Sequence, residues 1–167
     1  MRSFRPETLA FIQASLDPAT NQENFMKATA FSDWAGSWKQ GRGSISTATS
    51  LFKDEPYSYA SRFEGASGAS PEELLAAAHA GCFNQALANN FGMIDREAES
   101  IKTWVVIDFG TGDDGSPAIR GAHITVEAKV AGASDEQFQH CANRAKTNCT
   151  ISKIMKCDIT LTATRLA

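Results

Sequence analysis

An α+β fold, in which runs of strands are separated by isolated helices, is what this sequence predicts. Three observations carry the expectation. Two segments alternate with the period of a strand: Ile124, Val126, Ala128 and Val130 against His123, Thr125, Glu127 and Lys129, then Cys157, Ile159, Leu161 and Ala163 against Asp158, Thr160, Thr162 and Thr164. A helix start is written at Ser70-Pro71-Glu72-Glu73, with a capping Ser, a Pro at the first helical position and two acids facing the positive helix end. A second is written at Ser134 with Gln137 three residues on.

In chain order, residues 1–25 read as an N-terminal extension: Leu9, Ile12 and Leu16 suit one short amphipathic helix after Pro6, and 17–24 read as polar loop. Residues 26–167 read as one domain. Its first part is strand-like, with Thr29 to Trp34 and Ser44 to Phe52 joined by a hairpin turn at Lys39-Gln40-Gly41-Arg42-Gly43, and Tyr57 to Glu64 as the next strand. The helix opening at Ser70 stays apolar almost all round until Asn89 and Asn90, which predicts a buried central helix rather than a surface one. A hairpin follows, Thr103 to Phe109 and His123 to Val130 around a Gly/Asp turn at 110–115. In the helix after Ser134, Phe138, Cys141, Ala142, Ala145 and Cys149 keep to one stripe, so Cys149 faces inward at the helix end. Cys157 to Thr164 is the last strand.

The chain has 167 residues, which makes one domain the default. Sixteen basic residues against nineteen acidic give a net charge of −3 without any long Lys/Arg run, which argues against nucleic acid and anionic membrane as partners. The most apolar window, Leu74 to Phe83, is half the ~20 residues of a spanning helix. The stretch from Leu9 to Leu16 is broken by Gln13 and lacks a cleavage site, so the chain is expected to be unprocessed and cytoplasmic. Four cysteines, Cys82, Cys141, Cys149 and Cys157, are too sparse for a disulfide scaffold. The question becomes which thiols are inert and which react.

Cys82 lies within the apolar helix, where a plain core role is the default for a thiol. Its own helix cannot ionise it: Glu72 at the N-terminus is ten residues away, ~15 Å of rise, and the dipole effect fades within one turn. A thiolate there is expected to need a cation from elsewhere, and Arg62, just before the loop leading to Ser70, is the candidate. His79 is read as a packing residue, because no Asp or Asn at helical spacing orients it, although a Cys-His nucleophile pair or a two-ligand metal site stays conceivable.

These residues also carry a resemblance. Trp34-x-Gly36 with Gly41-Arg42-Gly43, Arg62-Phe63-Glu64-Gly65, the run from Ser70 to Phe83, and Ala145-Lys146-x2-Cys149-x2-Ser152-Lys153 together resemble the OsmC/Ohr family of thiol-dependent peroxidases, closer to its osmotically inducible branch. The likeness runs from Lys27 to the C-terminus, and the block from Arg62 to Phe83 is its most specific part. It implies two β-meanders wrapped around central helices of an intertwined homodimer, with active sites at the interface. It implies Cys82 as the peroxidatic cysteine, Cys149 as the resolving cysteine, Arg62 as the arginine that holds the thiolate, and Glu72 as the carboxylate that orients that arginine. The axial separation of Glu72 and Cys82 adds the expectation that an arginine bridging both takes one of them from the other chain.

The activity implied is reduction of an organic hydroperoxide to an alcohol through a sulfenic acid and a Cys82–Cys149 disulfide, with an external dithiol as reductant and no metal or cofactor. The family pattern usually has Pro after the resolving cysteine, where this chain has Thr150; the helix end around Cys149 is therefore expected to be less constrained. Cys141 and Cys157 have no family counterpart and are read as packing residues. Two other functions compete: a non-catalytic dimeric binder of a small hydrophobic ligand, and a thiol hydrolase or acyltransferase using Cys82 and His79.

Overall fold

The computed structural model describes residues 26–167, so the short helix read over Leu9, Ile12 and Leu16 lies outside the described residues. The chain divides into two compact units, one ending at Ala69 and the other starting at Ser70.

In the first unit, β1 (Ala30–Ala35), β2 (Arg42–Thr47) and β3 (Glu55–Ser58) form an antiparallel meander in that order. Register places Trp34 opposite Gly43 and Gly43 opposite Tyr57. The Trp34 and Tyr57 rings approach to 5.3 Å between centroids, and a Cβ on Gly43 would stand 2.8 Å from Tyr57 Cζ. That glycine is there because two aromatic rings close over its strand.

Two strand expectations are corrected here. The strand from Ser44 ends at Thr47 instead of reaching Phe52, because the Ser46 side chain accepts from Asp54 N–H at 2.8 Å and folds the chain back. The segment from Tyr57 to Glu64 leaves the sheet after Ser58 and becomes helix α1 (Tyr59–Phe63). Ser58 and Ser61 cap it reciprocally, each hydroxyl accepting from the other's N–H, at 2.9 and 3.1 Å. Tyr59 and Phe63 then stack one turn apart at 4.7 Å, so the aromatic residues that suggested a strand stabilise a helix.

In the second unit, α2 (Pro71–Gly92) starts at Ser70 as expected, with the Ser70 hydroxyl accepting from Glu73 N–H at 3.2 Å and Pro in the first turn. The same hydroxyl lies 3.3 Å from Glu72 Oε2. Strands β4 (Ala98–Thr111) and β5 (Pro117–Val130) make the expected hairpin, longer than the alternation alone marks. Helix α3 (Asp135–Asn148) and a short helix α4 (Thr150–Ile154) follow, and β6 (Asp158–Leu166) returns to pair with β5 in parallel. The second sheet is thus a hairpin plus one crossover strand.

Its core is one layer between sheet and helices: Phe83, Leu87 and Phe91 from α2, Ile124, Val126 and Ala128 from β5, and Phe138, Ala142 and Ala145 from α3. Each large side chain buried this way contributes ~1.5–3 kcal/mol. The Phe91 and Phe138 rings stack at 5.8 Å and tie α2 to α3. Burial on α2 follows a stripe of His79, Phe83, Leu87, Asn90 and Phe91, while Ala77, Ala78, Gly81, Gln85 and Ala88 stay exposed in the single chain. The expectation of burial all round holds on one face only; alanine is at home on either, so composition did not mark the difference. Among the described residues no helix is long and apolar enough to cross a membrane.

Candidate active site

The second unit brings Cys82 and Cys149 together. Cys82 is half-buried on α2, next to the buried His79–Phe83 stripe. Cys149 is buried where α3 ends: its N–H still donates to Ala145 O at 2.9 Å, but its ψ of 130° turns the chain out of the helix. The same residue is the N-cap position of α4, whose Lys153 N–H donates back to Cys149 O at 3.1 Å. The bend sits in the Cys149 backbone and a new helix begins immediately after it.

A fresh helix start offers unpaired N–H groups, and here they meet sulfur. Burial pushes the Cys82 thiol pKa up, but hydrogen bonds from the Cys149 side chain, the Ile151 N–H, and the Thr150 N–H and hydroxyl outweigh it and hold it below the ordinary thiol value. Cys149 goes the other way: burial and its bond to Cys82 raise it, only partly offset by the N–H and hydroxyl of Ser152 and the N–H of Ile151. In this pair Cys82 is the more readily ionised sulfur and Cys149 the less.

Apart from any cation, neutral donors from the start of α4 lower the Cys82 pKa within the unit that carries both thiols. The sequence pattern assigns no element to Thr150–Ile154; the polar pair Thr150 and Ser152 flanking Ile151, directly after an inward-facing Cys, is the available signal for these donors.

Of the other predicted site residues, Glu72 is the second residue of α2, in contact with Ser70 and ten residues along the helix from Cys82, ~15 Å on its axis. Arg62 belongs to the last turn of α1 in the first unit, its guanidinium 5.1 Å from the Phe63 ring centroid. Cys141 packs in the core as expected, its thiol 3.5 Å from Asn90 O. Burial raises its pKa and that of Cys157, so neither is an activated thiol.

His79 is fully buried, and its Nε2 lies 2.8 Å from the Ser152 hydroxyl of α4. Burial lowers its pKa and keeps the ring neutral. The sequence reading sought its partner at helical spacing; the partner lies 73 residues away in sequence.

Comparison with known proteins follows the same residues. The family described as OsmC-like protein matches residues 64–164. The chain is 36% identical over 128 residues to Peroxiredoxin OsmC of Escherichia coli K12, a match spanning 77% of this chain and 89% of the relative, and it matches the Shigella flexneri protein of the same name equally well. Among solved structures it resembles an OsmC-like protein of unknown function from Vibrio cholerae, with a TM-score of 0.66 at 14% identity over 83% of this chain and 99% of the other. It also resembles the organic hydroperoxide resistance protein OhrB of Bacillus subtilis, with a TM-score of 0.59 at 21% identity over 83% and 98%.

Proposed function

The chain belongs to the OsmC-like protein family, and from that premise we propose that it is a cysteine peroxidase that reduces organic hydroperoxides to alcohols. The observation that carries the reading is the Cys82–Cys149 contact, in which one thiol is lowered and its neighbour raised. A peroxide needs a thiolate to attack its terminal oxygen, and Cys82 supplies it. The alcohol leaves, and Cys82 becomes a sulfenic acid. Cys149, already touching it, condenses with it to a disulfide before further oxidation makes the change irreversible. A dithiol reductant then restores both thiols by exchange.

In the same proposal Arg62 holds the thiolate and polarises the peroxide, Glu72 orients Arg62, and the working unit is a homodimer in which one of these residues is supplied by the partner chain. The resemblance supports those roles, and the cytoplasm is the expected setting. The family likeness and the thiol pair favour this reading over a non-catalytic dimeric binder of a hydrophobic ligand.

Intact-mass measurement after one equivalent of tert-butyl hydroperoxide tests it. The wild type should lose two hydrogens, Cys149→Ser should gain one oxygen, and Cys82→Ser should remain unchanged. An unchanged wild-type mass would favour the binder. Turnover by Cys82→Ser equal to wild type would remove Cys82 from the reaction.

A further inference from the structure

Forming the disulfide requires Cys149 to lose its proton, and the contacts around Cys149 show where that proton can go; this inference rests on the reading of Cys82 and Cys149 as the attacking and resolving thiols. Ser152 occupies the third position of α4 behind Cys149 at the N-cap, a spacing at which the two side chains meet. Its hydroxyl reaches the Cys149 sulfur on one side and lies 2.8 Å from His79 Nε2 on the other. Ser152 and His79 are both buried, and His79 Nδ1 has no hydrogen-bond partner among the described residues. The Cys82 sulfur, Cys149 sulfur, Ser152 hydroxyl and His79 ring therefore form one continuous chain of contacts inside a single unit.

We propose that Ser152 and His79 form a proton relay for the resolving thiol, the Ser152 hydroxyl taking the Cys149 proton as it passes its own to His79 Nε2. While Cys82 is a thiolate, the Cys149 hydrogen is directed at it. Once Cys82 carries oxygen, that acceptor is gone and Ser152 is the neighbouring oxygen. The Cys149 sulfur then attacks the Cys82 sulfur, the S–S bond forms, and the Cys82 S–O bond breaks with its electron pair on oxygen. The Cys82 sulfur is reduced and the Cys149 sulfur oxidised to the same level. The hydroxide leaves as water after taking a proton, returned from the His79 imidazolium along the relay or drawn from solvent. No carboxylate braces Nδ1, so the ring holds the proton only briefly, as a shuttle should. Ser152 touches a reacting atom; His79 acts through Ser152.

Rapid mixing with one equivalent of tert-butyl hydroperoxide, quenched with dimedone and read by mass, separates oxidation of Cys82 from disulfide formation. Ser152→Ala and His79→Gln should slow the second phase by roughly tenfold to a hundredfold, the low end of what positioned bases contribute, and far more than the first. The sulfenic acid should accumulate as its dimedone adduct, and Ser152→Thr, which keeps the hydroxyl, should recover most of the rate. Because His79 is buried, deuterium oxide supplies a readout that leaves it intact: the second phase should show a curved proton inventory in wild type and a linear one in Ser152→Ala. Equal slowing of both phases, no rescue by Thr, or identical inventories would overturn the relay while leaving the peroxidase reading in place. Absence of the first phase in wild type would instead remove that reading, and the relay with it.

Discussion

Two kinds of helix start occur in the second unit, and they do different work. Those of α2 and α3 are closed by their own sequence: Ser70 with Pro71 and two acids, and Ser134 with Gln137 in a complete reciprocal box. The start of α4 has no hydroxyl or carboxylate cap; a cysteine stands at the N-cap position, and the N–H groups of Thr150 and Ile151 bond the sulfur of Cys82 instead. Donors spent on a cap stabilise a helix. Donors left uncapped are available to an anion, here a thiolate.

The largest effect should come from weakening the α4 donors. Thr150→Val removes one hydroxyl bond to the Cys82 sulfur and keeps the backbone N–H. Hydrogen bonds to charged groups are worth ~1.5–3 kcal/mol, and Thr150 is exposed, so the lower end applies: peroxide consumption at neutral pH should fall about tenfold. The sign with pH follows from the lowered Cys82 pKa. Without the hydroxyl the thiol ionises at higher pH, so the deficit should close as the pH rises past the ordinary thiol range, when both proteins carry the thiolate. A deficit that persists at high pH would mean that Thr150 acts by placing Cys149 rather than by ionising Cys82. Arg62→Ala makes the companion test, since a loss concentrated at neutral pH would assign part of the ionisation to the guanidinium.

The same contrast explains how much was legible in the sequence. The caps at Ser70 and Ser134, the inward alternation of Ile124 to Val130, and the stripe ending at Cys149 are local signals, and all stand in the structure. Cys82 and Cys149 were named from the family resemblance, and the structure brings them into contact. What escaped depends on residues distant in the chain. The His79–Ser152 bond joins α2 to α4 across 73 residues, and no periodicity encodes it. Tyr59 and Phe63 suggest a strand because aromatics favour strands, whereas the Ser58–Ser61 box overrides that preference. The α4 donors were missed for a related reason: a helix restart of five residues is too short to show a period.

The folded pKa of His79 is lowered by burial, so the native ring stays neutral where the unfolded chain takes up a proton, near pH ~6.5. Above that value His79 adds no pH dependence. Below it the unfolded state binds the extra proton and stability falls, by at most ~1.4 kcal/mol for each pH unit from this one group. Denaturant unfolding at pH 7 and pH 5 should show a shallower fall for His79→Gln than for wild type, even though the variant starts less stable for lack of the native fit. Equal slopes would mean that burial does not lower the His79 pKa in the native state, the ring taking up its proton there at the same pH as in the unfolded chain.

The smallest effect is expected at a closed helix start. Ser134→Ala removes the hydroxyl that accepts from Gln137 N–H at 3.2 Å and leaves the first turn of α3 with an additional unpaired donor. N-cap losses of this kind cost ~1 kcal/mol, so the urea midpoint should fall modestly with no change in slope. Cys149 lies at the opposite end of that helix, about four turns away, its N–H bonded to Ala145 O and its sulfur against Cys82 of α2. Peroxide turnover per folded molecule should therefore stay at the wild-type value, against the tenfold deficit of Thr150→Val. If Ser134→Ala instead lowered turnover as Thr150→Val does, the division between helix starts that build the fold and the one that serves the thiolate would fail, and α3 would have to act as a rigid lever on Cys149 along its whole length.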